Sequence, residues 1–143
     1  MPALDRSLLG AAFRKALQTS WVLSRVLLPA YIVVDLLKNT PVIPALGRAF
    51  GPWMAPLGLP GEAAMALVLG CLVNLYAAVG ILAALGLTSG QVAVCGLMLG
   101  LSHTLIIEGT VLRSTGTRYL LLTFYRVAIA LAVGFAAAPF FTT

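Results

Sequence analysis

The sequence predicts an all-α membrane protein of about four hydrophobic segments, transmembrane or partly re-entrant, with an amphipathic N-terminal helix in the interface. Three observations predict it. Hydrophobic residues make up 61% of the 143 residues and charged ones 9%, with a mean hydropathy of +1.04, whereas soluble domains carry about 25% charged residues. A soluble chain of this size has too little interior to hide that much apolar surface. Second, apolar runs near the ~20 residues that a span requires alternate with short turns rich in Pro, Gly or polar residues. Third, basic residues stand near the ends of those runs (Arg14 and Lys15, Lys38, Arg48, Arg113, Arg118), as interfacial residues of membrane helices do. The net charge of +5 therefore forms no patch for nucleic acid, and none is expected as a partner. The bilayer is the expected partner, and the inner (cytoplasmic) membrane the expected location of this multi-pass chain.

At this length one domain is expected over residues 1–143. Residues 3–19, ALDRSLLGAAFRKALQT, place Leu9, Phe13 and Leu17 at i+4 spacing, with Arg6, Arg14 and Gln18 on other faces. Such a helix is too charged to span and is expected to lie in the interface. Residues 21–38, WVLSRVLLPAYIVVDLLK, form the first candidate span, anchored by Trp21 and Lys38 and interrupted by Pro29. No secretory cleavage signal is expected, since this run holds Arg25 and Asp35 and ends without a small-residue site. Residues 43–57 are rich in Pro and Gly yet apolar, which predicts a short, broken interfacial or re-entrant helix. Pro60 and Gly61 then punctuate, and Glu62 opens the cleanest span, 62–85, where an acid complements the helix dipole. GLTSGQ reads as a turn with Ser89 as N-cap. The last spans are 91–112 and 119–138, joined by RSTGT, and Gly96 and Gly100 offer a GxxxG face for close packing.

Charge fixes no orientation. If all four segments cross, the basic residues divide almost evenly between the two sides, leaving the positive-inside rule little to act on. Such a chain can insert both ways and pair antiparallel with itself.

Polar groups inside the spans are the candidate site. A carboxylate or amide in hydrocarbon costs several kcal/mol unless paired or facing water, and so marks a functional candidate. GLSHTLIIEG brings Ser102, His103, Thr104 and Glu108 into seven positions, with Thr104 and Glu108 on one helical face. Asn74 sits mid-span in the preceding segment. For Glu108 the alternatives are a cavity-facing acid or an interfacial one that meets Arg113. Arg126, in LLLTFYRVAIAL, either pairs with Glu108 or extends its stem to the interface. A break near Gly100–Ser102 would let His103 and Glu108 line one cavity.

No enzyme is expected. GxSxG, HExxH, P-loop and paired-aspartate patterns are absent from the sequence. One His, four acids and two scattered cysteines make a metal centre hard to build within one chain. A cation site shared across a dimer, drawing on Cys71, Asn74, Cys95, His103 or Glu108, stays open, and no cofactor is expected.

GLPGEAAMALVLGCLVNLYAAVG followed by GLMLGLSHTLIIEGTVLRSTG resembles the Gate, or nucleoside-recognition, domain family of membrane proteins. The preceding LLPAYIVVDLLKNT fits the same layout. Glu62, Asn74, Ser102, His103 and Glu108 fall on the most telling parts of the resemblance. It implies transport, since Gate domains occur in concentrative nucleoside transporters, the membrane core of ferrous-iron transporter B, and spore maturation proteins A and B. Larger members carry two such units, and inverted repeats are a common transporter device. A single unit then implies a half-transporter that pairs with a second copy or a sister Gate-domain chain to pass a small polar solute, nucleoside-like, or a cation. The competing expectation is a non-transporting membrane subunit or scaffold whose polar groups only pair helices.

Overall fold

In lipid the backbone must satisfy its own hydrogen bonds, which leaves apolar runs of this kind only the helix. The computed structural model describes residues 6–37, 39–114, 116 and 118–141, and among these it contains helices and turns with no strand. Seven α-helices follow in order: α1 Arg6–Leu37, α2 Val42–Met54, α3 Ala63–Leu72, α4 Leu75–Leu85, α5 Ser89–Ser102, α6 Leu105–Ser114 and α7 Tyr119–Phe141. Among the described residues, three stretches are long and apolar enough to cross a membrane: Leu9–Leu37, Ser89–Arg113 and Tyr119–Phe141. The chain is an all-α membrane protein.

The expected interfacial helix and first span are one element. α1 runs through residue 20 and through Pro29 without interruption, and its 32 residues measure about 48 Å at 1.5 Å per residue. Its apolar stripe of Leu9, Phe13, Leu17 and Trp21 is exposed. Arg25 lies over the Trp21 ring, 5.3 Å from its centroid. Residues 3–5, the Lys38 anchor, and Thr115 and Thr117 of the last turn lie outside the described residues.

Residues 43–57 fold as α2 and a 3-10 turn, Ala55–Leu57, which Gly58 ends in the left-handed region at φ 66°. Glu62 occupies the N-cap position of α3 but makes no side-chain cap; its carboxyl group packs where a Gly47 Cβ would be. Thr88, not Ser89, caps α5. Its hydroxyl accepts from Gln91 N while Gln91 Oε1 accepts from Thr88 N, a reciprocal capping box.

The core forms where α3, α4 and α5 meet, around Leu57, Ala63, Ala66, Ala78, Ile81, Val94, Cys95 and Leu99. α5 packs on α7, α1 on α4, and α3 on both α4 and α5. Small residues permit these approaches. Gly70 is wedged between Leu99 and Ala78, and Gly80 lies under the Leu27 carbonyl of α1. On α7, Ala130, Gly134 and Ala138 form the buried small-residue stripe, with Gly134 against Met98 and Leu57. The expected packing face of Gly96 and Gly100 is not used within the chain: no atom lies within 4 Å of a Cβ added at either.

Candidate functional site

Two apolar hairpin arms are interrupted, and the interruptions meet. The span expected at 62–85 is two helices, α3 and α4, separated at Val73–Asn74. The span expected at 91–112 is α5 and α6, separated at His103–Thr104, immediately after the expected break near Gly100–Ser102. α3 and α4, of 10 and 11 residues, are each too short to cross alone.

The backbone hydrogen bonds explain how the breaks persist. In a continuous helix Asn74 N would donate to Gly70 O. Instead Val73 N and Asn74 N both donate to Leu69 O, at 2.8 and 3.2 Å, which frees the Gly70 carbonyl. In the second arm Thr104 N would donate to Gly100 O. It donates to Gly70 O at 3.2 Å instead. Each break thus supplies what the other lacks. Thr104 stands in the left-handed region at φ 51°, unusual for a β-branched residue.

Asn74 serves its own arm. Its backbone is extended, and its Oδ1 accepts from Ala77 N at 2.8 Å, capping α4. With Oδ1 committed to that cap, the other end of the side chain is an amide donor. His103 caps the other arm's C-terminal end. Its Nδ1 lies 3.0 Å from Leu99 O, and because a carbonyl only accepts, Nδ1 is the donor in that bond. The ring is half-buried.

Ser102 turns away from this pair. It is buried, donates to Met98 O at 2.8 Å, and accepts from the Cys71 thiol at 3.2 Å, its own proton being committed to Met98. Both side chains edge an apolar cavity of about 510 Å³ between α2, α3, α5 and α7, walled by Phe50, Trp53, Leu67 and Ala130. Cys95 lies in the core. Among the described residues no group of three or more His, Cys, Asp or Glu is placed to hold a metal ion.

Thr104, Glu108 and Arg126 form a third cluster. Thr104 Oγ1 donates to Glu108 Oε1 at 3.2 Å, and Arg126 Nη1 donates to Glu108 Oε2 as an ion pair. Arg126 Nε also donates to Leu101 O at 3.0 Å. The Arg126 stem therefore turns inward from α7 to the second break. Arg113 stands exposed in the last turn of α6, beside Tyr119. Of the residues singled out by sequence, the structure joins Thr104, Glu108 and Arg126 directly and places Ser102, His103 and Asn74 around the same crossing with separate partners. Sequence reasoning missed Gly70 and Leu101, which act through main-chain carbonyls that no side-chain pattern reveals.

Apolar helices interrupted at two crossing points with polar side chains gathered there define a multi-pass membrane protein with a built polar centre. Residues 20–118 match the Gate family, described as nucleoside recognition, and the chain belongs to that family. It is similar to an uncharacterized membrane protein, YvoD, of Bacillus subtilis (strain 168), at 39% identity over 120 residues, which is 84% of this chain and 38% of that protein. The chain thus spans under two fifths of that relative's length. No solved structure matches the chain.

Proposed function

We propose that this chain is half of a membrane transport unit, pairing with a second copy or a sister Gate-domain chain to form a pathway for a small polar solute, nucleoside-like, or a cation. The observation that carries the proposal is the crossing of two broken arms through the Thr104–Gly70 main-chain bond. Interrupted helices present helix ends and unpaired polar atoms at membrane depth, which is how solute sites between helices are commonly made. Around this crossing the Asn74 side chain carries amide donors beyond its capping oxygen, and a neutral His103 with Nδ1–H on Leu99 O would offer Nε2 as an acceptor, a pair suited to a neutral solute with both kinds of group. Ser102, Thr104 and Glu108 complete the assigned site, with Arg126 as the charge partner of Glu108. The family's description supports a nucleoside-like solute. The 38% coverage of the relative leaves length there for a second unit, in keeping with a pathway built from two.

A thermal-shift screen of the purified protein against nucleosides, nucleobases and divalent cations tests this, because a ligand that binds only the folded state raises its apparent stability. The expected result is a saturable rise in melting temperature that His103→Ala abolishes while the oligomer persists. One observation favours the scaffold instead: Ser102, Thr104, Glu108 and the Asn74 carbonyl oxygen all have partners inside the chain. That reading expects no ligand shift and a weakened oligomer in Asn74→Ala or His103→Ala.

A further inference from the structure

The second break ends α5 with carbonyls that have no helical donor, since the chain restarts as α6 at Leu105. Such an end carries partial negative charge. Here one of its carbonyls, Leu101 O, shares the Arg126 guanidinium with the carboxylate of Glu108. A carboxylate beside an end-of-helix carbonyl is a ligand set for a monovalent cation at a broken membrane helix. The position between them is filled by a side chain from another element, α7.

We propose that Arg126 is a tethered cation: its guanidinium holds the place between the C-terminal end of α5 and Glu108 that a free monovalent cation or small guanidinium ion would otherwise occupy. Three features support it. Leu101 O and Glu108 Oε2 engage different edges of the guanidinium, Nε and Nη1, a fork that a lysine ammonium does not offer. Thr104 Oγ1 donates to the other carboxylate oxygen, Oε1, so Glu108 directs Oε2 at the cation. The Arg126 side chain is 27% exposed against 40% for Glu108, so the protein covers most of the arginine as it reaches the carboxylate. The charge of Glu108 is then met by the protein itself, and removing Arg126 opens a site for a mobile cation. This inference holds whether or not the crossing carries a solute.

The test is chemical rescue. Arg126→Ala, purified in detergent, is melted with millimolar guanidinium, sodium or choline chloride at matched ionic strength. We expect a lowered melting temperature of which guanidinium, and more weakly sodium, restores at least half, saturably, while choline restores none. Wild type should respond to the three salts alike, and adding Glu108→Gln to Arg126→Ala should remove the rescue. Equal responses of the single variant to all three salts, or rescue that survives Glu108→Gln, overturns the proposal. Arg126→Gln, which keeps an N–H donor for Leu101 O and loses the charge and the Nη1 donor to Glu108, carries the same comparison should the alanine variant fail to fold. The readout is stability without any solute, so its failure is separable from failure of the transport proposal.

Discussion

At the scale of single residues, Asn74 and Thr104 do opposite things to their helices, and each makes its own prediction. Asn74 starts α4 by capping it, so Asn74→Ala should cost about 1 kcal/mol of stability while Asn74→Ser retains most of it. Thermal melts of the two variants in one detergent check this. Thr104 holds φ 51°, a conformation that costs a non-glycine residue about 1 kcal/mol or more. Thr104→Gly relieves that cost but loses the hydroxyl bond to Glu108, worth about 1 kcal/mol, so the melting temperature should barely move. Thr104→Pro removes the N–H given to Gly70 and forbids the positive φ, and should unfold the crossing. A strongly destabilised glycine variant would show that the main-chain account of this break is wrong. The residues behind these predictions differed in legibility. Ser-His-Thr announced the second break because three polar residues interrupt an apolar run. Asn74 was visible as a polar group, yet its capping role was not, since the run around it is apolar on every face and periodicity carries no signal of rerouted backbone bonds.

At the scale of elements, close approach depends on which atom faces each glycine. A Cβ at Gly80 would sit 2.7 Å from the Leu27 carbonyl oxygen, a backbone atom that moves only if α1 moves away from α4. A Cβ at Gly134 would also meet its nearest atom at 2.7 Å, but that atom is Met98 Sδ, the far end of a flexible side chain. Gly80→Ala should therefore cost about 1–3 kcal/mol and Gly134→Ala under about 1, measured as paired melting curves. Apolar runs and punctuating Pro and Gly are local signals; they marked where helical chain lies, but not that the segments expected at 3–19 and 21–38 join into one helix or that 62–85 and 91–112 each divide in two. The small-residue face that sequence offered is not the one that packs within the chain. Gly96 and Gly100 match a motif, whereas Ala130, Gly134 and Ala138 do the packing within the chain, and which small face meets a neighbour is a property of the assembled helices. The capping box at Thr88 was readable from its spacing to Gln91, and Ser89 was the wrong neighbour to choose.

At the scale of the whole molecule, much apolar surface faces outward, including Trp53, Phe124 and Phe140. Lipid covers most of such a surface in a membrane protein. The proposed pairing adds a second copy, and Gly96 and Gly100 offer a way to test contact apart from fold. Because no other element among the described residues lies within 4 Å of an added Cβ there, Gly96→Leu and Gly100→Leu should leave the stability of the protomer within about 0.5 kcal/mol of wild type. The expected outcome by sedimentation in detergent is a dimer for wild type and a monomer for the double variant. A wild type that sediments as a monomer at every concentration would remove the homodimer and leave a sister chain. Neither the proposed pairing nor the proposed solute is legible from residues alone, since both would rest on surfaces formed between chains.

The bond between Thr104 N and Gly70 O has a mechanical meaning as well. Sliding one interrupted arm past the other would strand a donor and an acceptor together in hydrocarbon, each at several kcal/mol. The crossing therefore behaves as a rivet rather than a hinge, tying the α3–α4 break to the α5–α6 break and resisting the slide of one arm past the other. In hydrogen–deuterium exchange the Thr104 amide should be among the slowest in the protein, although it sits in a gap between two helices.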